Sequence, residues 1–151
     1  MAEFRRRRSI EATSLCYNTH TMVMEITFPG GKKVDALYKD LVIHTDQPKK
    51  DGGDGSAPTP FDLFLTSMGT CAGFYVLDFC QSRKLPTKDI KLALNTEKNQ
   101  ETHMITKIMV NIELPPDFPA KYKAAIIKSA ELCAVARHLH NPPAIEVSST
   151  K

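Results

Sequence analysis

The chain has 151 residues, of which 42% are hydrophobic and 25% are charged, which is enough for one domain with its own core but short for two. No apolar stretch reaches the roughly 18 residues that a membrane span needs, and the N-terminus lacks the apolar segment of a secretion signal, so the sequence predicts a cytoplasmic protein without a membrane partner. The four cysteines lack CxxC and zinc-finger spacing, which argues against a structural metal site, and a reducing compartment would make any disulfide transient.

Residues 1–19 form a basic segment that we predict to be flexible. It contains the run Arg5 to Arg8, and without these four arginines the formal net charge of +3 would become −1. Such a run fits a nucleic acid or another anionic surface, but it more often forms a solvated tail, and no aromatic residue interrupts it. We favour the tail, and we place a single domain over residues 20–151.

Two extended regions and a loop follow. Residues 20–28 alternate apolar and polar side chains and then reach Pro29-Gly30-Gly31, which predicts a half-buried strand that enters a turn. Residues 34–45 continue as a second extended region. Residues 47–60, QPKKDGGDGSAPTP, are rich in glycine and proline and predict a long, mobile loop.

A long apolar helix is predicted after the loop. Thr59 at the N-cap, Pro60 at the first helical position and Asp62 at the third come close to a capping box, so the helix starts here. We expect it to run to about residue 84. Because Asp62 and Asp78 are its only charges before residue 81, the helix is apolar almost all round and must be surrounded by protein. We call it the central helix.

The second half of the chain predicts a hairpin, a second helix and a final strand. Alternating apolar residues at 90–94 and 108–114 indicate an antiparallel hairpin with one wet face. Residues 120–139 predict the helix, and residues 144–148 predict the strand. One stripe of the second helix contains Ile126, Ala130, Cys133 and Arg137.

Cys71 and Cys80 both lie in the central helix, nine residues apart. At about 100° per residue they point to opposite faces, so they cannot form a disulfide with each other. Cys133 is the remaining partner with an ordered position, while Cys16 precedes the first strand. Taken alone, Cys71 is most simply a small core residue. Arg137, one turn after Cys133, lies on the same face and could stabilise a thiolate.

The run GGDGSAPTPFDLFLTSMGTCAGFYV is followed, 62 residues after Cys71, by the cysteine of AELCAVARHLHNPPAIEV. In the order and spacing of the glycine-rich loop, the proline-started helix and the two cysteines, the chain resembles the OsmC/Ohr family of osmotically induced and organic hydroperoxide resistance proteins. The resemblance covers roughly residues 20–148. It implies an α+β, OsmC-like fold, with antiparallel sheets wrapped around two central helices, and an intertwined homodimer.

The resemblance also implies roles for two cysteines, with Cys71 as the peroxidatic and Cys133 as the resolving residue. The thiolate would attack the O–O bond of an organic hydroperoxide, release an alcohol and become a sulfenic acid, which condenses with the second thiol to a disulfide. An external dithiol would then reduce the disulfide. The family pattern gives no role to Cys16 or Cys80. We expect no cofactor and no metal.

The sequence departs from the family pattern around the thiolate. Cys71 lies about three turns into its helix, beyond the reach of the helix dipole, so we expect a nearby cation. The best-studied branches supply an arginine from an upstream strand and a glutamate after the loop proline, whereas residues 17–50 contain no arginine and Phe61 follows Pro60. Asp62 could replace the glutamate or only cap the helix, and Arg137 could replace the arginine or only be a charge at a helix end.

We therefore expect a divergent OsmC-like branch in which peroxide turnover is slow and depends on Arg137. A rival hypothesis is a non-enzymatic dimeric module that binds an apolar small molecule, or senses oxidants, in a pocket lined by Phe61, Phe64 and Met68. A third hypothesis, nucleic-acid binding through the arginine run, predicts strongly salt-dependent affinity. The enzyme hypothesis requires a Cys71 thiol with a low pKa that is oxidised and reduced repeatedly, whereas the binding hypothesis does not. We favour the enzyme hypothesis.

Overall fold

The computed structural model describes residues 24–149 as an α+β structure with two antiparallel sheets and three α-helices, which confirms the predicted class. The strands are β1 (Glu25–Gly30), β2 (Lys33–Tyr38), β3 (Leu41–Thr45), β4 (Lys91–Lys98) and β5 (Ile105–Glu113). The helices are α1 (Pro60–Ser82), α2 (Lys123–Ala130) and α3 (Ala134–His140). The predictions for residues 1–19, with Cys16 and the arginine run, and for residues 20–23 of the first strand lie outside the described range.

Strands β1, β2 and β3 form an antiparallel meander in that order. The second extended region divides into β2 and β3 because the chain turns at Lys39, which adopts the left-handed region with a φ of 54°. Ile26 and Phe28 on β1 are exposed. The half-buried strand predicted here is therefore not covered by any described part of this chain, and the sheet carries an open apolar surface.

The loop between β3 and α1 is organised by one buried carboxylate, that of Asp46. Its oxygens accept hydrogen bonds from the N–H groups of Gln47 (2.8 Å), Asp54 (3.1 Å) and Ser56 (3.0 Å), and from the Ser56 hydroxyl (2.8 Å). A side chain at Gly53 would meet the Gln47 carbonyl oxygen at 1.9 Å, so this position requires glycine. The predicted loop is present, and it folds back onto Asp46 on its way to α1.

Helix α1 begins as the sequence predicts and is the centre of the structure. Thr59 and Asp62 form the capping box, in which the Thr59 hydroxyl accepts the Asp62 N–H at 3.1 Å and the Asp62 carboxylate accepts the Thr59 N–H at 2.9 Å. The helix packs on α2, α3 and β4. Phe61, Phe74 and Leu77 nevertheless remain exposed, so this chain alone surrounds only part of the helix.

By its length and composition alone, helix α1 could cross a bilayer, because its mean hydropathy is 1.4 over its most apolar window. The expectation that no stretch reaches this length is therefore wrong. The central helix of a folded domain meets the same criterion, and α1 contacts two other helices and a strand. By itself the length of the helix is weak evidence for a membrane span.

The hairpin of β4 and β5 is confirmed, with Leu92 opposite Ile112 and Leu94 opposite Val110. These leucines face α1, where Gly69 and Gly73 leave room for them. The core on this side has two clusters. One contains Val76, Phe79, Cys80, Phe118 and Ile126, and the other contains Met68, Ala72 and Cys133.

The single helix predicted over residues 120–139 is wrong. Helix α2 ends near Ala130, where the N–H groups of Leu132 and Cys133 bond to carbonyls three residues back at 3.1 Å and tighten its last turn. Cys133 then leaves the helical conformation, with φ −45° and ψ 116°, and occupies the N-cap position of a new helix, α3, without a side-chain cap hydrogen bond. The sequence contains no glycine or proline between residues 120 and 141, so it gives no sign of this break.

The strand predicted over residues 144–148 is also not formed. This segment pairs with no strand among the described residues, and its apolar side chains Ile145 and Val147 are exposed. Apolar and polar residues do alternate in this segment, but a strand needs a neighbouring strand to form hydrogen bonds with its backbone N–H and C=O groups. The described part of the chain supplies no such strand.

Candidate active site

The break between α2 and α3 brings Cys133 against α1. Its side chain packs with Met68 and Ala72, and Cys71 lies against the same cluster. The Cys133 thiol donates a hydrogen bond to the Met68 carbonyl oxygen, with Sγ and O 3.7 Å apart. Both cysteines are free thiols, with Cys133 buried and Cys71 partly accessible. The structure thus places the two cysteines that the sequence singles out in one site.

The pKa of the Cys71 thiol lies below its ordinary value. Burial raises it, but interactions with the backbone N–H of Val135, the Cys133 thiol and the N–H of Ala134 outweigh that effect, and the Arg137 charge adds to them. These N–H groups belong to the first turn of α3, whose partial positive charge favours an anion. The start of a neighbouring helix therefore stabilises the Cys71 thiolate.

The pKa of the Cys133 thiol is shifted in the opposite direction. Burial raises it, and so does its interaction with the Cys71 thiolate, while the N–H groups of Ala136 and Val135 oppose the shift only in part. Cys71 is therefore the thiol of the pair that ionises more readily, which favours it as the nucleophile because the thiolate is the reactive form. The two thiols are chemically distinct although they are close in space.

The Arg137 charge lowers the pKa of Cys71, but it is not the main cause of the shift. It is exposed on α3, and its charge acts on Cys71 less than the backbone N–H groups do. The expectation that activation depends on a cation stays a prediction. The N–H groups of Ala134 and Val135 are functional groups that residue identity does not reveal, because every residue except proline carries one.

Asp62, Phe61 and Phe64 do not join the thiol pair. The Asp62 carboxylate is engaged by the hydroxyl and N–H of Thr59, which lower its pKa, so it caps α1. Phe61 is exposed and stacks at a tilt on Phe64, with ring centroids 5.4 Å apart. Of the three residues predicted to line a pocket, Met68 alone is among those that line the cavity described next.

A cavity of about 510 Å³ lies beside Cys133. Its wall is mainly apolar and comes from α1, β5, α2 and α3, and Asn111 and Glu131 are the residues with polar side-chain ends in it. Cys133 is part of the wall, whereas Cys71 is not. The volume is in the range of small-molecule sites.

Cys80 and the histidines have other surroundings. Cys80 is fully buried in the core cluster of Val76 and Phe79, apart from the thiol pair, and burial raises its pKa. His44 pairs with Asp35 at 2.9 Å on the N-terminal sheet. Across residues 24–149, no three His, Cys, Asp or Glu side chains are grouped so that they could hold a metal ion.

Comparison with known proteins identifies the family. Residues 53–148, more than half of the chain, match the family described as OsmC-like protein. A search of the curated proteins found no match.

Solved structures show the same fold. A protein from Psychrobacter arcticus 273-4, described as an osmotic stress induced and detoxification response protein, is similar with a TM-score of 0.66 and 19% identity, over 82% of this chain and 90% of that one. An OsmC like protein from Mycoplasma pneumoniae is similar with a TM-score of 0.63 and 11% identity, over 83% of this chain and 91% of that one. An organic hydroperoxide resistance protein from Elizabethkingia anophelis is similar with a TM-score of 0.54 and 18% identity, over 83% of this chain and 91% of that one.

Proposed function

Because the chain belongs to the OsmC-like family, we propose that it reduces organic hydroperoxides through thiol chemistry, with Cys71 as the peroxidatic and Cys133 as the resolving cysteine. The observation that carries this proposal is the arrangement of the two thiols. Cys71 has a lowered pKa beside the first turn of α3, and Cys133, whose pKa is raised, packs in the same cluster. An organic hydroperoxide resistance protein is among the structures with this fold.

The reaction needs no group beyond the two cysteines and an external dithiol. The Cys71 thiolate attacks one oxygen of the O–O bond, an S–O bond forms, and the leaving alkoxide takes a proton to become an alcohol. Cys133 then attacks the sulfur of the Cys71 sulfenic acid, and water leaves as the disulfide forms. The dithiol supplies two electrons and two protons to restore both thiols.

The test is to mix fully reduced protein with an organic hydroperoxide and to follow peroxide loss and free-thiol content together. We expect one equivalent of peroxide to consume two thiols, and peptide mapping to find Cys71 linked to Cys133 within one chain. Cys80→Ser is the matched control, because this cysteine lies in a separate cluster, and it should leave the stoichiometry unchanged. Peroxide that persists while all thiols remain free would overturn the proposal and leave the binding module as the better hypothesis.

The proposed assembly is an intertwined homodimer. Apolar side chains are exposed to solvent on both the N-terminal sheet and α1, including Phe28, Leu41 and Phe74. A second copy that covers these surfaces would bury them from water, and the gain grows with the apolar area removed. The dimer also supplies what the central helix lacks within one chain, namely protein on all sides.

A further inference from the structure

A hydroxyl group joins helix α2 to the central helix. The Ser129 hydroxyl donates a hydrogen bond to the Tyr75 carbonyl oxygen at 2.9 Å, and the bond is partly buried. Among residues 24–149, it is the one side-chain hydrogen bond that runs from α2 to α1. A carbonyl oxygen has two lone pairs, so that of Tyr75 can accept this bond in addition to the one within its own helix. The contact therefore takes no hydrogen bond away from α1.

The Ser129 bond is one of two attachments to α1 on either side of Cys71. Four residues after Ser129, the Cys133 thiol donates to the Met68 carbonyl oxygen, 3.7 Å away. Met68 and Tyr75 are seven residues apart, which is about two turns, so their carbonyls lie on the same side of α1 and about 10.5 Å apart along its axis. Cys71 lies between them in the helix. The end of α2 and the start of α3 are thus attached to α1 before and after the turn that carries Cys71.

We propose that Ser129 is a positioning residue for the thiol pair, because its hydrogen bond to α1 holds the end of α2, and with it the first turn of α3, against Cys71. The inference rests on the proposed function, since it concerns the same two thiols. Helices as short as α2 and α3, with eight and seven residues, are marginal on their own, so packing must place them. Apolar contacts are not directional, whereas a hydrogen bond fixes one donor against one acceptor. The hydroxyl therefore sets the position of α2 along α1.

The position of α2 matters to Cys71 through the start of α3. Ala134 and Val135, whose N–H groups lower the pKa of Cys71, come directly after Cys133. The effect of a helix start on a charge falls off within about one turn, so a small displacement weakens it. Loss of the Ser129 hydroxyl should therefore raise the pKa of Cys71 and slow its reaction near neutral pH. The Cys133 thiol and the Arg137 charge also act on Cys71, and neither is altered by a substitution at residue 129.

The first experiment compares Ser129→Ala with the parent by the rate of Cys71 alkylation against pH, with the site confirmed by peptide mass mapping. Alanine favours a helix more than serine does, so α2 should remain formed. We expect the midpoint of the pH profile to rise and alkylation at pH 7 to slow several-fold. Ser129→Thr, which keeps a hydroxyl, should restore the parent profile. An unchanged profile in Ser129→Ala, or equal shifts in both variants, would overturn the inference.

Ser82→Ala is the matched control. The Ser82 hydroxyl donates to the Phe79 carbonyl oxygen at 2.9 Å, but both residues belong to α1. This variant removes a bond of the same kind and length that does not join two helices, and it should leave the pH profile of Cys71 in place. A shift as large as that in Ser129→Ala would show that the effect is not specific to the contact between α1 and α2, and the inference would be wrong.

The second experiment measures how firmly the two thiols are held together. The Cys71–Cys133 disulfide is formed with diamide, so that the outcome does not depend on peroxide activity, and is brought to equilibrium with dithiothreitol. We expect Ser129→Ala to shift the equilibrium several-fold toward the thiols, because Cys133 is held less firmly beside Cys71. Equal equilibrium constants in Ser129→Ala and Ser82→Ala would overturn the inference and leave the proposed function intact. If both experiments give the expected shifts but the parent consumes no peroxide, the role of Ser129 is supported and the proposed function fails.

Discussion

Cys71 acquires its lowered pKa mainly from backbone groups, and this changes what the missing arginine and glutamate of the family pattern mean. A buried thiol with no compensation has a raised pKa and little thiolate at neutral pH. Here the N–H groups at the start of α3 and the neighbouring Cys133 side chain lower the pKa of Cys71, and Arg137 adds a smaller contribution. The pKa of Cys71 is thus lowered although the sequence lacks the arginine and the glutamate of the family pattern.

Arg137→Met should raise the pKa of Cys71 modestly and slow its reaction. Arg137 is exposed, and an exposed charge contributes only about 0–1 kcal/mol, so we expect less than about a tenfold effect near neutral pH. The measurement is the rate of alkylation against pH, followed by stopped flow, together with peroxide consumption. Lys121→Met is the control, because Lys121 lies beside Tyr122 at the other core cluster. An unchanged pH profile in Arg137→Met would show that its charge does not reach the thiol.

At the level of elements, the break between α2 and α3 creates the site. A continuous helix over residues 120–139 would have no helix start near Cys133 and so no free N–H groups to direct at Cys71. Cys133 is non-helical and separates α2 from α3, and it occupies the N-cap position of α3. The same backbone change thus provides the partner thiol and the stabilising groups.

Ala134→Pro removes one of these N–H groups while keeping the helix. Proline is favoured at the first position of a helix and disfavours the α-helical region for the residue before it, and Cys133 already lies outside that region with ψ 116°. We expect the pKa of Cys71 to rise and alkylation at pH 7 to slow, with little change in the circular dichroism of the helices. Ala134→Ser, which retains the N–H, should behave like the parent. If both variants alkylate alike, the first turn of α3 does not activate the thiol.

The loop before α1 should depend on the ionised form of Asp46. Hydrogen bonds from the Ser56 N–H, opposed by burial, and further bonds from the Ser56 hydroxyl, Gln47 and Asp54 lower its pKa from 3.8 to about 2. Because the folded value is lower than the unfolded one, the carboxylate stabilises the fold above about pH 3.8, and this contribution is lost as the pH falls toward 2.

Asp46→Asn should therefore lower the urea midpoint at pH 7 and show a weaker decline in stability between pH 5 and 2. The amide loses the Oδ2 acceptor that receives three of the four hydrogen bonds. Asp51→Asn, an exposed position in the same loop, is the matched control and should leave the midpoint in place. Equal midpoints for the two variants at pH 7 would contradict a structural role for Asp46.

Across the whole molecule, the sequence predicted the features that depend on local patterns. The capping box needs only Thr59 and Asp62, and the hairpin follows from the alternation of apolar and polar residues. Both could therefore be predicted directly from the sequence. The α2–α3 break could not, because no glycine or proline marks it and its cause is packing against α1. Asp46 was missed because its hydrogen-bond partners, up to ten residues away, meet it only in the folded loop.

The uncovered apolar surface leads to a prediction about assembly. Phe28 is 80% exposed on β1 and Phe74 is 62% exposed on the central helix, although large apolar side chains rarely cluster in the open on monomers. Residues 144–148 add a segment with an alternating pattern and no neighbouring strand within the described chain. All three features are accounted for if a second copy lies against the sheet and α1, and we expect a dimer at micromolar concentration by sedimentation and light scattering.

Phe74→Asp would place a charge in the proposed interface and should weaken the dimer, because a buried unpaired charge is costly. Gln81→Asp, which adds the same charge at another exposed position of α1, is the matched control and should leave the assembly unchanged. Dissociation is measured from the concentration dependence of the sedimentation coefficient. A parent protein that sediments as a monomer at micromolar concentration would refute the dimer, and the open surfaces of β1 and α1 would then require a different partner.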